Sequence, residues 1–155
     1  ARGRGATFTI DLPPGEPVAQ ATDDPAMPGR DRTMRGLSVL VVDNERAIQT
    51  GMRTLLGGWG CTVQAAGGHE EAAGLFADGA APDIILIDYH LNDGEAGDVA
   101  LDRLRASFGA PVPAIMISAD RGKELKAQLD ERGIPLLGKP VKPAQLRALL
   151  RTILK

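Results

Sequence analysis

The sequence predicts an α/β fold over residues 37–155, a doubly wound parallel sheet of five strands with five helices. Three observations predict it. Short apolar runs alternate with segments whose apolar residues recur at helical spacing, five of each. One run, Ile84, Ile85, Leu86 and Ile87, is apolar without a break, as strands buried on both faces of a parallel sheet are. Residues capable of chemistry stand directly after four of the five runs, at the edge where such sheets gather their active groups.

The elements follow in order. "LSVLVV" (37–42) is the first strand. "ERAIQTGMRTLLGG" (45–58) carries Ile48, Met52, Leu55 and Leu56 on one helical face and stops at Gly57 and Gly58. "CTVQAA" (61–66) is the second strand, and "HEEAAGLFAD" (69–78) a short helix ending near Gly79. "DIILI" (83–87) is the third strand and "EAGDVALDRLRASF" (95–108) the third helix. "PAIMIS" (113–118) is the fourth strand. The fourth helix, "GKELKAQLDERG" (122–133), has only Leu125 and Leu129 as its apolar face. "IPLLG" (134–138) is the fifth strand. In the last helix, "KPAQLRALLRTILK" (142–155), Pro143 lies in the first turn, and Leu146, Leu149, Leu150 and Ile153 form a core face. Strands joined through helices cannot be hairpin neighbours, so the sheet is parallel and the helices cover both faces.

Asp43, Asn44 and Glu45 follow the first strand; Asp88 follows the third, Ser118 closes the fourth, and Lys139 with Pro140 follows the fifth. Each has a structural use alone: Asp43 and Asn44 as helix caps, Ser118 as a loop residue, Lys139 as a solvated charge. Together they make an acidic cluster, a hydroxyl and an ammonium on one edge. Carboxylates with neutral oxygens suit Mg²⁺, a hard cation that keeps several waters. A cation and a lysine offset charge on a phosphoryl group in transfer. An aspartate, already ionised at neutral pH, can be the nucleophile without a base.

Composition excludes other classes. Hydrophobic residues make up 43 % and charged residues 25 % of 155, which is ordinary for a globular domain with a real core. A net charge of −2 supplies no basic field for nucleic acid or for direct contact with an anionic membrane. Aromatics at 3 % leave no stacking platform for single strands. The lone Cys61 excludes an internal disulfide, fits a reducing compartment and is read as a buried thiol. A flavin or nucleotide site at the same edge is disfavoured, because "DNERA" after the first strand lacks phosphate-cradling glycines.

"VLVVDNE", "IILIDYHLNDG", "AIMISAD" and "LLGKPVKPAQLRALL" resemble the four signature segments of response-regulator receiver domains, in order and from end to end of residues 37–155. The resemblance implies a flavodoxin-like strand order 2-1-3-4-5. It implies Asp88 as phosphoacceptor, Ser118 and Lys139 as its catalytic companions, and Mg²⁺ held by Asp43, Asn44, Asp88 and the backbone carbonyl of His90. It also implies a cis bond before Pro140. Two positions depart from the family pattern. Asn44 stands where a carboxylate usually ligates Mg²⁺, which implies weaker metal binding, with Glu45 the neighbouring acid. Leu136 stands where an aromatic switch residue is frequent.

Residues 1–36 are different material. They hold five of the eleven prolines (Pro13, Pro14, Pro17, Pro25, Pro28), and their charges cancel. "GRGATFTIDLP" (3–13) resembles the last strand of a histidine-kinase ATP-binding domain. Residues 1–14 are therefore expected to be a remnant of that domain, and 15–36 a Pro-rich, disordered linker. A chain opening on Ala1 is expected to be processed or part of a longer one. The reading is a cytoplasmic receiver at the C-terminus of a hybrid sensor histidine kinase, whether or not that kinase is membrane-anchored. It would not itself be a kinase, but would promote its own phosphorylation and dephosphorylation. Its partners are a phosphohistidine domain of the kinase, a histidine phosphotransfer protein, or both. The alternative is a phosphorylation-independent interaction module whose metal site Asn44 has weakened.

Overall fold

The structure, a computed structural model, describes residues 34–76 and 80–154. Five strands, β1 (Ser38–Val42), β2 (Thr62–Ala66), β3 (Ile84–Asp88), β4 (Ala114–Ser118) and β5 (Leu136–Gly138), form one sheet in the order β2-β1-β3-β4-β5. Every pairing is parallel. The helices are α1 (Arg46–Gly58), α2 (His69–Leu75), α3 (Gly97–Phe108), α4 (Lys123–Glu131) and α5 (Pro143–Ile153), with one 3₁₀ turn at Asn92–Gly94.

Alternation along the strands builds two cores. Val39 and Val41 of β1, with Ile84 and Leu86 of β3, face Met52 and Leu56 of α1 and Leu146 and Leu150 of α5. Leu40, Val42, Ile85 and Ile87 face Ala100, Leu101 and Leu104 of α3 and Leu125 and Leu129 of α4. All four apolar residues of β3 are fully buried, each contributing roughly 1.5–3 kcal/mol of burial free energy. The central strand is thus a fully packed base on which a reactive side chain can be mounted.

The thin apolar face of α4 is supplemented by polar bonds to α3. Gln128 donates to Asp98 at 2.9 Å, and Arg132 pairs with Asp98 and Asp102. Cys61 is a buried free thiol immediately before β2, and burial pushes its pKa up.

Several boundaries differ from expectation. The packed unit begins before residue 37: Met34 is 1 % exposed among α1, β1 and β2 residues, and Gly36 N–H donates to Gly60 O at 2.8 Å. The last three residues assigned to the linker therefore belong to the domain, and the remainder of residues 1–36 lies outside the described residues. α1 ends at Gly58 as expected, and the chain then turns at Gly60, whose φ of +93° favours glycine. α3 starts at Gly97 rather than Glu95, because Ala96 pairs with His90 in an antiparallel bridge. α2 ends at Leu75, with the Phe76 N–H donating to Ala73 O at 3.2 Å, so it is shorter than the expected 69–78; Gly79 lies outside the described residues.

Candidate functional site

Because β1, β3, β4 and β5 are consecutive across the sheet, their carboxyl ends share one edge. Asp43 follows β1, Asp88 and Ser118 are the last residues of β3 and β4, and Lys139 follows β5. Lys139 N–H donates to Ser118 O at 3.0 Å, which extends the β4–β5 ladder into the site. The Lys139–Pro140 bond is cis.

Lys139 reaches back across this edge. Its Nζ lies 3.3 Å from Asp88 Oδ2 and 3.4 Å from Asp43 Oδ2. A third carboxylate, Glu45, is 3.9 Å away but largely exposed, so solvent weakens that pair. The Asp43 and Asp88 side chains are only 3 % and 5 % exposed, so two desolvated carboxylates share one ammonium. Burial pushes the Asp43 carboxyl above its ordinary value, and the Asp88 charge adds to this. The Glu45 N–H, donating to Asp43 Oδ1 at 2.8 Å, and Lys139 oppose the rise without cancelling it. Burial works against the Lys139 charge, but Asp43 and Asp88 outweigh it and hold the ammonium above its usual pKa. The trio carries a net negative charge in a poorly solvated place, which favours a further cation.

Ser118 is fully buried, and its hydroxyl oxygen accepts the Asp120 N–H at 2.9 Å. The hydroxyl proton remains available for donation. Asn44 is half-buried, and its Nδ2 donates to Asn92 Oδ1 at 2.9 Å. The His90 side chain is exposed, with its ring edge-on to Tyr89. Its backbone is better placed for a role than its imidazole. The bridge to Ala96 is closed by Gly97 N–H to Tyr89 O and Leu91 N–H to Glu95 O, so the His90 carbonyl takes no part in it.

Asp43, Asp88, Asn44 and the His90 carbonyl could offer Mg²⁺ the hard oxygen donors it accepts. Among the described residues no group of three or more His, Cys, Asp or Glu side chains forms a metal cluster. Asp43 and Asp88 could supply the charged ligands, which would suit a cation retaining several waters.

Sequence reasoning missed three neighbours. Asn92 touches Asn44 from 48 positions away. Arg121 donates to the Lys139 carbonyl at 3.3 Å. Gly97 lets the start of α3 lie against the end of β3, where a methyl group would meet the Asp88 carbonyl oxygen. Only Gly97 left a trace in sequence, as a small residue opening a helix.

A family model described as the response regulator receiver domain matches residues 39–151. The chain belongs to the response regulator receiver family. It is a receiver domain of a two-component system. It is 34 % identical over 119 residues to the KDP operon transcriptional regulatory protein KdpE of Escherichia coli K12, covering 76 % of this chain. The chain spans about half the length of that relative, 51 %. Among solved structures, the receiver domain of a Francisella response regulator is similar, at 25 % identity and a TM-score of 0.64. The match covers 75 % of this chain and 94 % of that one. The Vibrio cholerae chemotaxis protein CheY4, at 24 % identity, shares the fold with a TM-score of 0.66 over 76 % of this chain and 98 % of its own. The flavodoxin-like order 2-1-3-4-5 is that of these receivers.

Proposed function

We propose that this receiver accepts a phosphoryl group from a phosphohistidine onto Asp88, with Mg²⁺. The observation that carries the reading is the sharing of Lys139 between two buried carboxylates at the carboxyl edge. In the transfer an Asp88 oxygen attacks phosphorus, the P–O bond forms, and the P–N bond to the donor imidazole breaks with its electron pair leaving on nitrogen. Asp88, at the end of a fully buried strand, is held rigidly for in-line approach. Lys139 offsets charge on the transferred oxygens, and the Ser118 hydroxyl donates a hydrogen bond to one of them. Asp43, Asn44, Asp88 and the His90 carbonyl would hold Mg²⁺, which supplies further neutralisation of the phosphoryl oxygens.

The donor's seat is a groove of about 540 Å³ beside the site. Ala47, Ile48, Met52 and Leu55 of α1 and Val141 supply its apolar lining, and Lys139 forms its border with the site. A protein donor resting there brings its imidazole to the same edge. Receiver domains in general interact with histidine kinases or phosphotransfer proteins, and either is the donor or the next acceptor here. The segment 3–13, with its resemblance to a kinase ATP-binding domain, supports a hybrid histidine kinase as the parent protein. A cytoplasmic setting belongs to the same reading. No helix among the described residues is long and apolar enough to cross a membrane.

The test is transfer of ³²P from a phosphorylated histidine phosphotransfer domain, with Mg²⁺ or with EDTA. Label on the chain with Mg²⁺, lost in EDTA and released by hydroxylamine as an acyl phosphate would be, is the expected outcome. Failure of transfer from several such donors to a folded chain would favour the interaction module, for which the neutral Asn44 is the specific ground.

A further inference from the structure

We infer that Asn92 is a positioning residue for the metal site, orienting the Asn44 carboxamide so that its oxygen is available to the cation. The inference rests on the Mg²⁺-dependent reading above and extends it to a residue outside the expected ligand set.

The argument starts from the chemistry of a carboxamide. A carboxylate presents an oxygen whichever way its plane is turned. An asparagine has one acceptor end and one donor end, and only the oxygen can bind a cation. Putting Asn at this position therefore costs a charge and also introduces an orientation that must be set. A mis-turned amide would point N–H bonds at the cation.

The structure supplies a partner. Asn44 Nδ2 donates to Asn92 Oδ1 at 2.9 Å, which commits the donor end. Among the described residues the Asn44 oxygen accepts no hydrogen bond, so it is the end left for a ligand. A cation drawing on that oxygen selects this orientation and requires an acceptor at Asn92.

Asn92 is itself held in place. It opens the 3₁₀ turn Asn92–Gly94, and its carbonyl accepts the Glu95 N–H at 3.2 Å. The Leu91 N–H donates to Glu95 O at 3.2 Å, closing the loop on the other side. The Glu95 carboxylate then pairs with His69 Nδ1 at 2.8 Å and Arg103 Nη1 at 2.6 Å, tying the turn to α2 and α3. The Asn92 backbone is therefore mounted on a loop braced from two helices, and its carboxamide oxygen is turned to the Asn44 amide.

The experiment is Mg²⁺ titration of the full chain by isothermal titration calorimetry, without a phosphoryl donor, for four proteins: the parent, Asn92→Ala, Asn44→Asp, and both together. The metal-free melting temperature is measured alongside. Asn92→Ala should weaken Mg²⁺ binding about three- to tenfold, the scale of one neutral hydrogen bond lost, and shift the metal-free melting temperature little. In the Asn44→Asp background, where either oxygen serves, the same Asn92→Ala change should alter Mg²⁺ affinity by less than about twofold. A parent that binds Mg²⁺ with unchanged affinity after Asn92→Ala would overturn the inference and leave the phosphoacceptor reading intact. Equal weakening in both backgrounds would also overturn it, since Asn92 would then act on the loop and not on the amide. A parent that binds no Mg²⁺ at millimolar concentration would overturn both the inference and the metal part of the functional reading.

Discussion

Replacing Lys139 with Ala is expected to slow phosphoryl transfer to Asp88 by about 10²–10³-fold, the range seen when one preorganised electrostatic donor is removed. The ammonium lies within 3.4 Å of both carboxylates and is only 20 % exposed, so solvent cannot replace it. Lys139→Arg should recover part of the rate, because charge is restored while the reach and shape of the head change. A pH signature separates this loss from simple unfolding. Lys139 lowers the Asp43 pKa against burial, so its removal lets that pKa rise further above the ordinary 3.8. A carboxyl whose folded pKa exceeds its unfolded one favours the folded state at low pH and costs stability as pH rises. Relative to the parent, Lys139→Ala should therefore lose melting temperature progressively from about pH 4 upward. Single-turnover transfer rates with melting curves at several pH values check both parts. An unchanged rate would remove Lys139 from the chemistry.

Gly97→Ala should be the most damaging glycine-to-alanine change among the described residues, at about 3 kcal/mol, the upper end of overpacking costs. A Cβ there would press on the Asp88 carbonyl oxygen and lie 2.8 Å from Tyr89 Cα and 2.9 Å from Met116 Sδ. Two of those three atoms are backbone and cannot turn aside. The Gly97 N–H also donates to Tyr89 O at 2.6 Å, so the helix cannot withdraw without breaking that bond. Since the displaced atoms belong to Asp88 and its neighbour, phosphoryl acceptance should fall with stability. Gly51→Ala is the matched opposite. Gly51 lies on the exposed side of α1 with nothing within 4 Å of its Cβ position, so it should gain up to about 1 kcal/mol from helix propensity. Urea denaturation of the two variants gives both signs in one comparison. A neutral Gly97→Ala would mean that the β3–α3 junction is looser than its contacts imply.

The alternation of apolar runs made the sheet legible, because a continuous run such as Ile84–Ile87 has few other physical uses. Asp88, Ser118 and Lys139 were legible for a related reason: a parallel sheet sends all its carboxyl ends to one edge, so sequence position after a strand becomes position in space. What could not be read were contacts between loops. Nothing near Asn92 in the sequence refers to Asn44, and the pair exists only because β1 and β3 are adjacent. Met34 was hidden for a different reason. A single apolar residue among prolines and charges has no periodicity to declare it, yet it is buried against the sheet. The start of α3 was misplaced by two residues because Glu95 and Ala96 suit a helix locally. The bridge to His90 and the pairing of Glu95 with His69 and Arg103 override that propensity.

The most direct test of the central claim is the intact mass of the chain after incubation with acetyl phosphate, with and without Mg²⁺, beside Asp88→Asn. A single phosphoryl adduct that requires Mg²⁺ and is absent from Asp88→Asn is the expected result. An adduct of equal yield on Asp88→Asn, or one indifferent to Mg²⁺, would contradict the assignment of Asp88 as the acceptor at a metal-assisted site.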